Sequence, residues 1–341
     1  MIQDLRLEQL TRWVQDIPGW EAACLQPASV DASFRRYFRA SRNGRTAIVM
    51  DSPPDREDPL PFVDITRRLL DLGIHAPAIM AQNLLDGFLL LEDLGNTLLL
   101  DVLMPDNADS LYREAMTVLL QLQRADTAHL AHYGAGQLGM EMRLMPEWFL
   151  QRHLGYDAAD QPVALIRHAI DNVVEAVTSQ PYAFMHRDFH SRNLMLQKDG
   201  SLAVIDYQGA VSGPVTYDLV SLLRDCYITW PEPRMTRWAL MFHKEAIAAG
   251  NMPPVDETSF LRWFDLTGLQ RHIKVLGIFC RLFHRDGKPG YLKDLPRVLD
   301  YVIGVGLKHP ETANLAEWMR QEQLAERIGV PASTPEAAAA A

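Results

Sequence analysis

Asp188, Asn193 and Asp206 are the side chains whose types and spacing can do chemistry. They lie in F-M-H-R-D-F-H-S-R-N-L-M-L and, after a short gap, L-A-V-I-D-Y-Q-G. A loop carboxylate, an amide five residues later and a second carboxylate closing an apolar strand are what phosphoryl transfer asks of a protein. One carboxylate accepts the proton of an attacking hydroxyl, while the amide and the other carboxylate hold Mg2+ against the phosphate oxygens of ATP. Asp188 is therefore the candidate base, and Asn193 and Asp206 are the candidate metal ligands.

The elements that must position them are short. Leu194–Leu196 reads as a strand, Lys198-Asp199-Gly200 as a tight turn, and Leu202–Ile205 as a second strand ending at Asp206. Such a hairpin would gather the three side chains at one end. His186-Arg187-Asp188 and Asn193 match the kinase signature H-R-D-x-x-x-x-N to the letter, whereas Asp206-Tyr207-Gln208-Gly209 departs from D-F-G by one residue. A competing chemistry is metal hydrolysis, because His186-x-Asp188-x-His190 could place three ligands on one metal. No further His or Cys set at matching spacing supports it, and His190 reads as a packing or hydrogen-bonding residue.

At 341 residues and 48 % hydrophobic content, the chain has ample core for two subdomains or one large domain. A formal net charge of -10 without a long basic run argues against a nucleic-acid-binding surface. The first residues turn charged at once, and no later run reaches the length of a membrane span. Cys24, Cys226 and Cys280, odd in number and far apart, point to reduced thiols, each in or near the core. The expectation is a soluble, cytoplasmic monomer with no nucleic-acid or membrane partner.

Along the chain, Ile2, Leu5, Leu10, Trp13 and Val14 recur at helical spacing until Pro18-Gly19. Pro27 to Ala40 reads as a hairpin turning at 30–33 and returning through Phe34–Arg39. Ser33, Arg35 and Arg36 there are candidates for nucleotide phosphate, since guanidinium forks suit phosphate oxygens. Ala47-Ile48-Val49-Met50 is a third strand, with Met50 where the V-A-I-K pattern has its lysine, and Arg36 or Arg39 on the preceding strand is the candidate substitute for that charge. A Pro- and acid-rich link, a helix over 62–72 and a strand pair around Asp86-Gly87 lead to Glu92, Asp93 and Leu94, a hinge whose backbone can take the adenine edge. Helices are expected at 111–122, 165–177, 238–249, 260–283 and 295–307. Glu141 or Glu147 is placed to face an acceptor, with Gln208 beside the metal motif. Asp218, just ahead of an apolar helical run, can accept backbone N–H bonds from the catalytic loop or cap that helix. On the 265–284 helix, Arg271, Lys274, Arg281 and Arg285 fall on one narrow stripe opposite a broad apolar face, and Arg271 and Lys274 are the candidate acceptor contacts.

H-R-D-F-H-S-R-N-L, then V-I-D-Y-Q-G, then Y-D-L at Tyr217–Leu219 resembles the aminoglycoside-phosphotransferase-like kinases from roughly residue 20 to 310. That resemblance implies an α+β, bilobal, protein-kinase-like fold, with a small antiparallel sheet in the first lobe and a mostly helical second lobe. The lobes are expected at 1–95 for nucleotide and 96–330 for catalysis and substrate, followed by a disordered tail at 331–341. Carried over, Asp188 is the base, Asn193 and Asp206 hold Mg2+, and Glu92 to Leu94 take the adenine of ATP. S-F-R-R-Y-F-R, M-D-S-P-P, L-L-L-E-D-L-G, P-E-W-F-L and Q-R-H-I-K-V-L-G-I-F resemble the family's bacterial sugar-kinase branch. Membership there implies phosphorylation of the anomeric C1 hydroxyl of an amino sugar, N-acetylmuramate or N-acetylglucosamine, in peptidoglycan recycling. The alternatives are a kinase of choline, homoserine or an aminoglycoside, and a nucleotide-binding pseudokinase, which Met50 favours and the intact Asp188–Asn193–Asp206 set opposes.

Overall fold

The computed structural model describes residues 4–30 and 35–329, so Ser33 and the 331–341 tail lie outside it. In chain order its elements are α1 (Leu5–Asp16), β1 (Cys24–Val30), β2 (Arg36–Arg42), β3 (Arg45–Asp51), α2 (Leu60–Asp71), β4 (Ile79–Asn83), β5 (Phe88–Glu92), α3 (Leu99–Val102), α4 (Ala108–Leu122) and α5 (Ala135–Met142). A π-helix (Met145–His153), α6 (Val163–Thr178), β6 (Tyr182–Met185), β7 (Leu194–Leu196), β8 (Leu202–Val204), β9 (Val211–Pro214) and α7 (Tyr217–Leu223) follow. The chain then continues through α8 (Glu232–Ala248), α9 (Glu257–His284), α10 (Leu295–Gly306), α11 (Pro310–Gln321) and α12 (Leu324–Arg327). Two compact units result: Met1–Asp126 with Arg192–Ala210, and Thr127–Ser191 with Val211–Ala341.

The first unit is built on an antiparallel five-stranded sheet in the order β1-β2-β3-β5-β4. Side chains alternate across it. Phe38, Ala40, Ala47, Val49, Phe88 and Leu90 pack on Leu10 and Val14 of α1, which leaves Tyr37, Arg39, Ile48, Met50 and Leu91 on the opposite face. Asp4 starts α1 by accepting the Leu7 N–H at 3.0 Å. Asn43-Gly44, both at positive φ, make the two-residue turn between β2 and β3 that the right-handed strand twist prefers. The β7–β8 hairpin belongs to this unit and turns at Gly200, φ +87°. Cys24 is exposed rather than in the core, because it sits on edge strand β1 where alternation sends Ala23 inward.

The second unit is mostly helical, with one small ribbon of β6 against β9. Its centre is α9. The expected narrow basic stripe and broad apolar face are corrected here: almost every residue from Phe264 to Cys280 is buried, Arg271 and Lys274 included. Helices α6, α7, α8, α10 and the π-helix surround α9, so it has no solvated face over that length. Phe283 is only half-buried, and Arg285 at the end is exposed against Asp286. The close approach is set by small residues. A Cβ on Gly277 would stand 2.6 Å from Leu144 Cβ and 2.7 Å from its carbonyl oxygen. The π-helix that follows Leu144 runs its widened turn into a Leu154 N–H bond to the Phe149 carbonyl five residues back. His153 at its end lies within 2.8 Å, through Nε2, of the Ile328 carbonyl. Helix α11 was not expected from the sequence.

Candidate active site

In the first unit, Tyr37, Arg39, Ile48 and Leu91 form one wall of a cavity of about 440 Å3. Ala28, Phe62, Pro77, the Glu92–Asn96 segment, Leu98, Arg192, Asn193, Met195 and Ile205–Tyr207 complete it. Asn193 and Asp206 meet at the open end of the β7–β8 hairpin. The Ile205 N–H donates to the Asn193 carbonyl at 3.0 Å, and Asn193 Nδ2 lies 3.3 Å from Asp206 Oδ2. Asp206 takes φ +65°, a conformation that Asp tolerates better than most residues. The residue after it is bolted down, since Tyr207 stacks on Phe62 and shares a 2.7 Å hydrogen bond with Thr66 Oγ1 of α2. Burial pushes the Tyr207 phenol up, so it stays a neutral partner.

These donors suit a hard divalent cation. Asn193 and Asp206 bring amide and carboxylate oxygens, the ligands Mg2+ prefers. Gln208 donates to Asp206 Oδ1 at 2.7 Å, while its own Oε1 is buried without a protein partner. Among the described residues no cluster of three or more His, Cys, Asp or Glu forms another metal centre.

The hinge residues Glu92, Asp93 and Leu94 line the same cavity. Glu92 closes the β5 end by taking the Ala78 N–H at 3.2 Å, and the Leu94 carbonyl accepts from Gln197 at 3.3 Å. Arg39 reaches across to this segment. Its guanidinium meets Asp93 at 2.7 and 3.0 Å, the Gly95 carbonyl at 3.2 Å and Asn96 Oδ1 at 2.7 Å. Crowding opposes the Asp93 charge, but Arg39, Thr46 and the Gly95 N–H outweigh it and hold the carboxyl below its usual range. Arg39 thus straps the hinge to β2. Arg36 points to the α1 face, where it meets Asp51 at 2.7 Å and Asp4 at 2.5 Å, and Arg35 is buried against Glu57 at 2.9 Å. Neither lines the cavity. Arg192, which sequence reasoning passed over, does.

In the second unit, the loop after β6 carries Asp188. Asp218 in the first turn of α7 accepts the His186 N–H at 2.6 Å and the Arg187 N–H at 3.0 Å, as its place in the sequence suggested. Asp225, seven residues on, accepts the Ser191 N–H at 3.0 Å and its hydroxyl at 2.5 Å. Between these two braces Arg187 is held at φ +77°, a strained value for a long side chain. Asp188 itself reaches solvent. Protein packed around its carboxylate opposes the charge, yet the fields of Lys274, His190, Arg271 and His186 prevail and keep it ionised. Asp218, 2 % exposed, is pushed up to about 7 by burial, against the two N–H bonds, with Asp188 adding repulsion.

Behind the loop lies a buried ionic network. Glu141 of α5 takes Lys274 Nζ at 2.9 Å, Arg187 Nη2 at 3.1 Å, Gln137 Nε2 at 2.8 Å and the Tyr133 hydroxyl. Lys274 also lies 3.3 Å from the Tyr217 hydroxyl. Glu147 is exposed and pairs with Arg152 at 3.6 Å, outside this network.

An antiparallel five-stranded sheet, a helical unit and an H-R-D loop braced by carboxylates define a protein-kinase-like phosphotransferase. Residues 25–257 match the model of the phosphotransferase enzyme family, and the chain belongs to that family. It is 44 % identical to the N-acetylmuramate/N-acetylglucosamine kinase of Pseudomonas aeruginosa, over 93 % of this chain and 97 % of that protein. The protein of the same name from Neisseria meningitidis is 36 % identical, over 90 % and 93 %. The fold is shared with the AMP-bound spectinomycin phosphotransferase, at TM-score 0.62 and 14 % identity over 91 % of this chain and 98 % of that one. Among the described residues no helix is long and apolar enough to cross a membrane.

Proposed function

We propose that this enzyme transfers the γ-phosphate of ATP to the anomeric C1 hydroxyl of N-acetylmuramate and N-acetylglucosamine, giving sugar 1-phosphates for peptidoglycan recycling. The observation that carries the chemistry is Asp188: a loop carboxylate kept ionised at neutral pH by four surrounding cationic or imidazole groups, on a loop braced at both ends. It accepts the proton of the sugar hydroxyl as the oxygen attacks phosphorus. Asn193 and Asp206, with Gln208 steadying the carboxylate, would hold Mg2+, which when bound neutralises charge on the phosphate oxygens. The 440 Å3 cavity takes the nucleotide, with its base against Glu92–Leu94, and Arg192 brings positive charge to the lining in place of the lysine replaced by Met50. The relatives' names support the acceptor. Action in the cytoplasm, where ATP is made, and as a monomer belong to the same proposal.

The test is an ADP-release assay across N-acetylmuramate, N-acetylglucosamine, choline, homoserine and an aminoglycoside, with product analysis at C1. The two amino sugars are expected to be the preferred acceptors. Asp188→Asn should lower kcat by roughly 10²–10⁴-fold while ATP still binds. Near wild-type turnover in that variant, or preference for another acceptor, refutes the assignment.

A further inference from the structure

Arg271 is a buried cation that touches no carboxylate: burial opposes its charge, and the fields of Cys226, Tyr217, Asp188 and Asp225 sustain it. Only 4 % of it is exposed, and its one hydrogen bond runs from Nη1 to Cys226 Sγ at 3.2 Å. Its neighbours show how unusual this is. Lys274 has Glu141 at 2.9 Å, Arg187 has Glu141 at 3.1 Å, and Arg224 has Asp265 at 2.6 Å. Among the described residues no carboxylate lies within ion-pair distance of Arg271. A buried cation normally holds a carboxylate directly, as these three neighbours do.

Two further facts say where the missing partner comes from. Nε and Nη2 of Arg271 have no protein partner, yet they are not sealed in, since the buried unpartnered nitrogens of this unit belong to other residues. The sliver of Arg271 that water reaches therefore includes the two donors that a carboxylate would engage side by side. The guanidinium is also near enough to the Asp188 carboxylate to help hold it ionised, so the opening belongs to the surroundings of the candidate base.

We propose that Arg271 is the residue that reads a carboxylate on the acceptor, so that this enzyme discriminates acidic from neutral amino sugars through one guanidinium. The inference rests on the amino-sugar kinase reading. N-acetylmuramate differs from N-acetylglucosamine by a lactyl ether carrying one carboxylate, and Nε and Nη2 are the fork that fits it. A thiol in place of an Asp or Glu at Cys226 keeps the fork weakly occupied in the free protein. Glu141 and Lys274, already satisfied by each other, position the loop instead. The neutral sugar fills the same place without this contact and gains nothing from Arg271.

The experiment compares wild type, Arg271→Gln and Arg271→Lys on both sugars and on the methyl ester of N-acetylmuramate. In wild type the ester should behave as the neutral sugar does. The ratio of kcat/KM for N-acetylmuramate to that for N-acetylglucosamine should fall about ten- to a hundredfold in Arg271→Gln, and Arg271→Lys should recover part of it. A merely structural loss in Arg271→Gln would lower the thermal midpoint and kcat/KM for both sugars alike, and would leave their ratio where it was. An unchanged ratio, or equal kcat losses on both sugars, overturns the proposal; equal losses would place Arg271 on Asp188 or on the transferring phosphoryl group. Calorimetric binding of the two sugars without ATP keeps the two readings apart. Wild-type protein that turns over neither sugar refutes the kinase assignment, and acid-sugar binding equal in wild type and Arg271→Gln refutes the role of Arg271.

Discussion

Asp218 couples catalysis and stability to pH with opposite signs. Its carboxylate uses both oxygens to hold the His186 and Arg187 N–H groups, and burial moves it from an ordinary 3.8 to about 7. Protonation places a hydrogen on one of those oxygens, facing a donor, and releases the strained Arg187 that precedes Asp188. The ionised fraction is about a half at pH 7 and about a tenth at pH 6, so kcat at saturating substrates should fall about fivefold over that unit. Stability moves the other way. A group whose folded pKa is raised contributes stability that is complete below its unfolded value, near pH 4, and is lost as pH rises through about 7. At about 1.36 kcal/mol per pH unit, the interval from 3.8 to about 7 is worth about 4 kcal/mol against the ionised fold. Asp218→Asn cannot titrate. It should lose activity through a mismatched donor, show no acid limb near pH 7, and gain stability relative to wild type as pH is raised from 5 to 8. The assays are kcat and urea unfolding across that range. A wild-type kcat that stays flat down to pH 6, or an acid limb that survives in Asp218→Asn, refutes the reasoning.

Gly277→Ala forces a methyl group against the Leu144 backbone and side chain and should cost about 1–3 kcal/mol in urea unfolding, with the larger value if the π-helix cannot shift. Lys274→Met leaves the buried Glu141 carboxylate with Arg187, Gln137 and Tyr133 but one cation fewer, and should cost about 1.5–3 kcal/mol. Adding Glu141→Gln should return part of that loss, a non-additivity readable in a double-mutant cycle. Arg39→Ala should raise KM for ATP more than KM for the sugar, because it frees the Asp93–Asn96 strap at the nucleotide cavity. Equal effects on both constants would remove Arg39 from the nucleotide side.

What the sequence made legible was local. The β7–β8 hairpin, its Gly200 turn and the H-R-D loop are each encoded within a dozen residues, so motif and turn chemistry were enough to place Asn193 beside Asp206. The role of Asp218 followed because an acid before an apolar helix has few uses. Contacts between distant segments were out of reach. Arg39 and Asp93 are 54 positions apart, and nothing in the composition of either stretch announces the strap. Periodicity located the apolar face of α9 but not the burial of Arg271 and Lys274 on the stripe opposite it. The corrective signal was present in Gly268 and Gly277, small residues that mark close approach by neighbouring elements on a helix buried all round. Asp225 lies just past the end of α7, so no helical spacing ties it to Asp218 and its hold on Ser191 could not be read from the sequence.

The π-helix makes this enzyme tolerant of a change in chain length where it is intolerant of side-chain exchange, since Met145, Phe149, Leu150 and His153 are fully buried. A widened turn amounts to one extra residue in an otherwise regular helix. Deleting one position between Pro146 and Arg152 would restore regular winding with the flanks nearly in register, whereas the same deletion in a regular helix swings everything beyond it by about 100°. Phe149 and His153 would stay near the interior positions they hold now, with the imidazole in reach of the Ile328 carbonyl. Among descendants of such a gene, a single lost codon is absorbed more readily in this turn than in the regular helices around it.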